Sequence, residues 1–142
     1  MKIISVLTDF SEYPGLRHCS ISDNSGELFY HQVLNEAFYN AITNGDQLTI
    51  NLDGVDGYAP SFIDEAFGNL VYDFTLNLIK DNVKIISQDE PHWVDFITNK
   101  TYPLWETRRQ KGDEPKMTAA HGPWYRLVQN QYEQKVWRQP IA

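Results

Sequence analysis

Thiols are nearly absent from this chain: its 142 residues include one cysteine, Cys19. A lone thiol forms no internal disulfide and no redox pair, so a reducing, cytoplasmic setting is expected. Long apolar runs are lacking as well. None approaches the roughly 20 residues that a membrane-spanning helix requires, so no membrane partner is expected. The opening stretch from Met1 to Leu7 is too short in its apolar part for a secretory signal, has no small-residue cleavage site, and is soon followed by Asp9. It reads as a first strand. Positive charge is scarce in residues 1–100, with five Lys/Arg against fifteen Asp/Glu, whereas residues 101–142 carry seven against four. Such an acidic body repels nucleic acid, and the basic tail is suited to folding back onto it. The chain has no glycine loop with a lysine for gripping phosphate and no catalytic triad. The four histidines, His18, His31, His92 and His121, have no metal-ligand spacing to one another or to Cys19. No metal site and no cofactor are expected. Cys19 reads as a small part-buried group, because the adjacent His18 is poorly placed to activate it on an extended chain.

Apolar residues make up 42% of the chain and aromatics 13%, enough for a real core and against disorder. The pattern predicts an α/β domain over residues 1–99 and a C-terminal extension over 100–142 packed on it. Lys2 to Leu7 forms the first strand. Tyr13-Pro14-Gly15 is a turn, and Arg17 to Ile21 is a short strand or an extended connector. Ser25 caps a helix from Leu28 to Thr43, with Glu27 in its first turn at the positive end of the dipole. Val33, Leu34, Ala37, Phe38, Ala41 and Ile42 form its apolar stripe, and Gly45 stops it. Val83, Ile85 and Ile86 give another strand. A third helix opens at Pro91, a short one follows near 103–110, and residues 124–137 are strand or helix. Trp93, Trp105, Trp124 and Trp137 fall in the last 50 residues, so the tail is packed or forms an interface.

The richest segment is Leu48 to Phe74. Leu48, Ile50 and Leu52 alternate as a buried central strand, flanked by helices that imply parallel pairing through right-handed crossovers. Asp53, Gly54, Asp56 and Gly57 make a tight acidic turn. Beyond Pro60 the period changes: Phe62, Ile63, Ala66, Phe67, Leu70, Val71 and Phe74 lie on one helical stripe. Ser61 is read as the cap of this helix, with Asp64 reaching back toward it.

Ser25-Gly26-Glu27, Asn51 to Tyr58 and Ser61 to Gly68 together resemble a STAS-like family of unknown function, distantly similar to bacterial anti-sigma factor antagonists. The resemblance spans about Lys2 to Ser87. It implies a mostly parallel sheet of four to five strands with packed helices, and a regulatory module that engages a kinase-like or ATPase partner. In the antagonists an Asp-Ser pair at a helix start carries the phosphorylated serine. Here Ala59-Pro60 stands in that place, and Ser61 is the nearest hydroxyl.

Three functional readings follow. The first is a non-catalytic protein-binding regulator that docks through Asp53, Asp56, Tyr58, Ser61, Asp64 and Glu65, with Ser61 as a candidate phosphosite. This reading requires those carboxylates to reach water together. The second is a Mg²⁺-dependent enzyme in which Asp9 meets Asp53 or Asp56 at the sheet edge, with Asp64 or Glu65 at the rim. The third is nucleic-acid binding through Arg108, Arg109, Lys111 and Lys116 with Trp124, Tyr125 and Arg126.

Overall fold

In the computed structural model, which describes residues 2–137, the strand β1 (Lys2–Ser5) turns at once into the short helix α1 (Val6–Asp9). The first strand is therefore shorter than the apolar run suggests. Ser5 caps α1 through its side chain, and the Ser5 N–H donates to Asp9 Oδ2 at 2.7 Å. Arg17 to Ile21 forms no strand. It is a strap that bends at Arg17 and turns back through an Ile21 N–H bond to His18 O, and with Leu16 before it receives the first helical donors of α2 (Gly26–Phe29): Leu16 O accepts from the Gly26 N–H and Arg17 O from the Glu27 N–H. Ser25 caps that helix as expected, accepting from the Leu28 N–H at 3.1 Å. The helix passes through a π turn at Tyr30–Leu34 and continues as α3 (Asn35–Thr43).

The strand β2 (Leu48–Asn51) follows and lies at the centre of a parallel sheet. Lys2 is opposite Leu48 on one side, and Leu48 is opposite Val83 of β3 (Val83–Ile86) on the other. Leu48, Thr49 and Ile50 are all buried, as a strand covered on both faces requires. Between β2 and β3 run α4 (Pro60–Phe74) and α5 (Leu76–Asn82), separated at Thr75, whose φ of 74° breaks the helix. The seven apolar residues of the α4 stripe are all fully buried. Glu65, Asn69 and Asp73 on its polar side are buried too, because the strap at Arg17 and later elements cover that side.

Those elements are α6 (His92–Phe96), a second π turn at Ile97–Thr101, and α7 (Tyr102–Lys111). Trp105 lies flat on Gly68 of α4; a Cβ at Gly68 would sit 2.1 Å from the indole, so only glycine admits this contact. A hairpin of β4 (Trp124–Val128) and β5 (Gln131–Lys135) closes the other flank of α4. Its turn residues Gln129 and Asn130 hold positive φ of 51° and 66°, the geometry of a two-residue hairpin turn.

The sheet expected to hold four or five strands thus has three, with a separate antiparallel pair beside it. The strap is spent on the start of α2, and the hairpin packs on helices. Nor do the tryptophans make a distinct Trp-rich extension: Trp93 and Trp105 sit in the same core as Ile4, and Trp124 is buried against His31. Arg126 joins the basic tail to the acidic body, its Nε donating to the buried Asp73 at 2.7 Å. Among the described residues, no helix is long and apolar enough to cross a membrane.

Candidate functional site

Parallel strands place all their carboxyl ends, and the starts of the helices that follow, at one edge of the molecule. The acidic turn lies there and is tightly braced. Gly54, at φ 91°, donates its N–H to Asp89 Oδ2 at 3.0 Å, and the Asp89 N–H returns a bond to Asp53 Oδ1 at 2.9 Å. The Asp56 N–H reaches Glu12 O at 2.9 Å. Asp53 is half-buried, while Asp56, Asp89, Glu12 and Asp9 are exposed. Tyr58 is half-buried over Phe62 and Trp93, and its hydroxyl donates to Leu52 O at 2.6 Å. Burial, then the charges of Asp53, Glu90 and Asp89, push that phenol up.

The remaining predicted residues part company with this rim. Ala59, not Ser61, occupies the capping position of α4, with no side-chain cap bond. Pro60 takes the first helical position, where its fixed φ and missing N–H cost nothing, so Ser61 lies one residue inside the helix. Asp64 does not reach back to it. Its Oδ2 accepts from Arg17 Nη1 at 2.8 Å and Trp105 Nε1 at 3.1 Å, and its Oδ1 accepts from Thr101 Oγ1 at 3.0 Å. Glu65 is 2% exposed and accepts from Arg17 at 3.0 Å and Asn69 at 3.0 Å. Burial raises its pKa, against the pull of Arg17 and Asn69. Asp64 and Glu65 thus clamp the strap and α7 onto α4 instead of facing water with Asp56. The six residues do not form one outward surface.

A second constellation, unforeseen in the sequence, stands at the start of α2. Ser25 fixes the helix start, and Gly26 lets it press against α4, since a Cβ there would sit 2.5 Å from Phe62 O. Glu27, 1% exposed, receives five bonds on its carboxylate. His18 Nδ1 at 3.2 Å, the Cys19 N–H at 3.2 Å and Thr118 Oγ1 at 2.7 Å meet Oε1. The Thr118 N–H at 2.9 Å and His121 Nε2 at 2.6 Å meet Oε2. Burial opposes this charge, yet His121, Thr118 and Cys19 outweigh it and hold the carboxyl well below its usual range. The Cys19 sulfur lies 3.3 Å from Ser25 Oγ. Burial and the facing Glu27 push this thiol up, against the pull of Ser25, so it is no activated nucleophile.

Behind them His31 stacks on His121 with ring centroids 4.2 Å apart, and its buried Nδ1 has no hydrogen-bond partner. Burial first, then His121, lower its pKa to about 3. The donor atoms of Cys19, Glu27 and His121 all lie within 4.8 Å of one another, and among the described residues this is the group of three or more that could share an ion. Asp9 and Asp53 make no such group. The histidines have no ligand spacing to Cys19 along the chain, yet His121 approaches it in space. Spacing along the chain conceals the approach, because the loop at 117–121 folds across the strap. The basic stretch of the tail is largely engaged: Arg109 with Glu106, Arg126 with Asp73 and Glu114, and Arg108 over the Trp105 ring.

Compared with known proteins, residues 25–93 match the model of the STAS-like domain of unknown function (DUF4325). No curated protein and no solved structure matches the chain. The matched span runs from the cap of α2 through β2, α4 and β3. It includes Glu27, Asp64 and Glu65 but not the strap or the loop that brings in His121.

Proposed function

We propose that this chain, with its STAS-like domain, is a non-catalytic regulatory module that docks a protein partner at the carboxyl edge of its parallel sheet. The reading rests on the braced acidic rim: Asp53, Glu90 and Asp89 act on the half-buried Tyr58, Asp56 of the same turn is exposed, and the Gly54–Asp89 and Asp89–Asp53 bonds fix the turn before any partner arrives. A rigid rim loses little entropy on binding, and its single sign of charge steers a basic partner surface and rejects acidic ones. Family resemblance suggests a kinase-like or ATPase partner. The docking set is narrower than the sequence suggests, resting on Asp53, Asp56 and Tyr58, with Ser61 at its margin. Phosphate on Ser61 would gain the start of α4 but face the same acidic rim, which opposes a phosphate switch there.

Affinity recovery from the native cell extract tests this. The intact chain is expected to retain a stoichiometric partner at low salt that Asp56→Lys loses with melting temperature unchanged. Recovery of the same partner by Asp56→Lys and by Tyr58→Ala would refute the surface. The second reading, metal-assisted chemistry, is favoured not at the carboxylates of the sheet edge but at a different place, by the approach of Cys19 and His121 to the single carboxylate of Glu27.

A further inference from the structure

We propose that Cys19, Glu27 and His121 bind one divalent transition-metal ion of borderline softness, zinc foremost, with a fourth position open to the adjoining cleft. This does not rest on the docking surface. The three donors come from three segments, the strap, the start of α2 and the loop after α7, and their ligand atoms already converge within 4.8 Å. A thiolate, an imidazole and a carboxylate form a mixed S/N/O set that suits Zn²⁺ and its neighbours. Mg²⁺ and Ca²⁺, by contrast, take oxygen ligands.

Charge also balances. A helix start disfavours a bare cation, but one thiolate and one carboxylate neutralise a doubly charged ion, so the loaded cluster carries no net charge. The supporting shell is in place. Thr118 and the Cys19 N–H orient the Glu27 carboxylate, the His31 ring backs His121 at 4.2 Å, and His18 Nδ1 stands 3.2 Å from Glu27 Oε1. Beyond the donors lies a cleft of about 450 Å³, lined by Cys19 and His121 with Asp23, Asn24, Leu28 and Ala120. Three protein ligands and an open side are the arrangement of an exchangeable zinc site rather than a closed structural one.

The adjustment needed is small. An ion with nitrogen and oxygen ligands at about 2.0 Å in tetrahedral geometry holds those two atoms about 3.3 Å apart. His121 Nε2 and Glu27 Oε2, now 2.6 Å apart, must therefore separate by somewhat under 1 Å. On binding, Cys19 releases its thiol proton to solvent, and the proton that His121 Nε2 donates to Glu27 leaves that nitrogen, passing through solvent to Nδ1 of the neutral ring, so that Nε2 turns its lone pair to the ion. The competing account is a purely structural stitch, in which Glu27 and His121 pin the 117–121 loop and Cys19 is a bystander.

Cobalt separates the two. Cys19 is the sole cysteine, so any thiolate-to-cobalt charge-transfer absorption can come only from it. The reduced full chain, titrated with Co²⁺, is expected to develop that near-ultraviolet band to one ion per chain and to lose it when Zn²⁺ is added. Cys19→Ser should abolish the band while leaving the far-ultraviolet circular dichroism intact. His121→Gln should weaken cobalt binding by about tenfold or more, whereas His92→Gln, at an exposed position, should leave it unchanged. No band in excess cobalt would overturn the proposal. So would saturation at half an ion per chain, or a band insensitive to His121→Gln. The near-isosteric serine variant keeps the test decisive, because it preserves the Cys19 N–H that holds Glu27.

Discussion

The contact between Trp105 and Gly68 supports a double-mutant test of how the C-terminal part is seated. In the intact protein, Gly68→Ala drives a methyl group into an indole ring that would lie 2.1 Å from it, so Trp105 or α7 must move. Overpacking of this kind costs about 1–3 kcal/mol. Trp105 is 1% exposed, and its Nε1 donates to Asp64. Trp105→Ala should therefore cost about 3–5 kcal/mol in lost burial and cavity. In the Trp105→Ala background the clash is gone, and Gly68→Ala in the middle of α4 should instead stabilise by about 1 kcal/mol through helix propensity. The same substitution changes sign with its neighbour, giving a coupling energy of at least about 2 kcal/mol. Urea denaturation followed by far-ultraviolet circular dichroism measures all four corners without relying on tryptophan emission. Additivity within about 0.5 kcal/mol would refute the seating of α7 on α4 through Trp105 and Gly68.

Two further outcomes test the buried charges. His31, with a folded pKa of about 3 against 6.5 in the open chain, binds its proton only when unfolded across that interval. Stability should therefore fall as pH drops below 6.5, by up to about 1.4 kcal/mol per unit. His31 is faced by His121, Glu27 and Arg126; His31→Phe removes only its own increment, and identical pH slopes in the two proteins at pH 7 to 5 would defeat the assignment. Arg126→Ala should cost about 3–5 kcal/mol at pH 7, because it leaves the Asp73 carboxylate buried without its guanidinium. Burial already lifts Asp73 to about 6 against the pull of Arg126, so the deficit should shrink at pH 5, where Asp73 is protonated; equal deficits at both pH values would exclude this origin.

The parts of this protein that could be read from its sequence are those decided by neighbours a few residues away. Ser25 caps α2 because its oxygen needs only the donor of Leu28, three positions on. The α4 stripe is equally local and appears where the periodicity puts it, whereas in β2 Thr49 is buried along with Leu48 and Ile50. Ser61 fails by the same logic: Pro60 fits the first helical position so well that the cap falls on Ala59. What stayed hidden is the far side of α4. Asp64 and Glu65 read as water-facing acids because acids outside an apolar stripe usually are, and Asp73, also outside it, is buried. Their burial follows from Arg17, some 47 residues before Asp64, and from Arg126, 53 residues after Asp73. Glu27 and His121 meet across 94 residues. Each of these pairs joins the βαβ framework to a segment that has no periodicity of its own, the strap before α2 or the chain after β3. A framework helix with one stripe of apolar residues can be placed from its pattern alone. A helix buried on every side needs a specific polar partner for each charge it hides, and the same long-range segments that provide those partners also converge on Glu27. Hence the fold was legible from the framework outward, whereas the site with the most chemistry in it exists only once the two irregular segments have closed over the starts of α2 and α4.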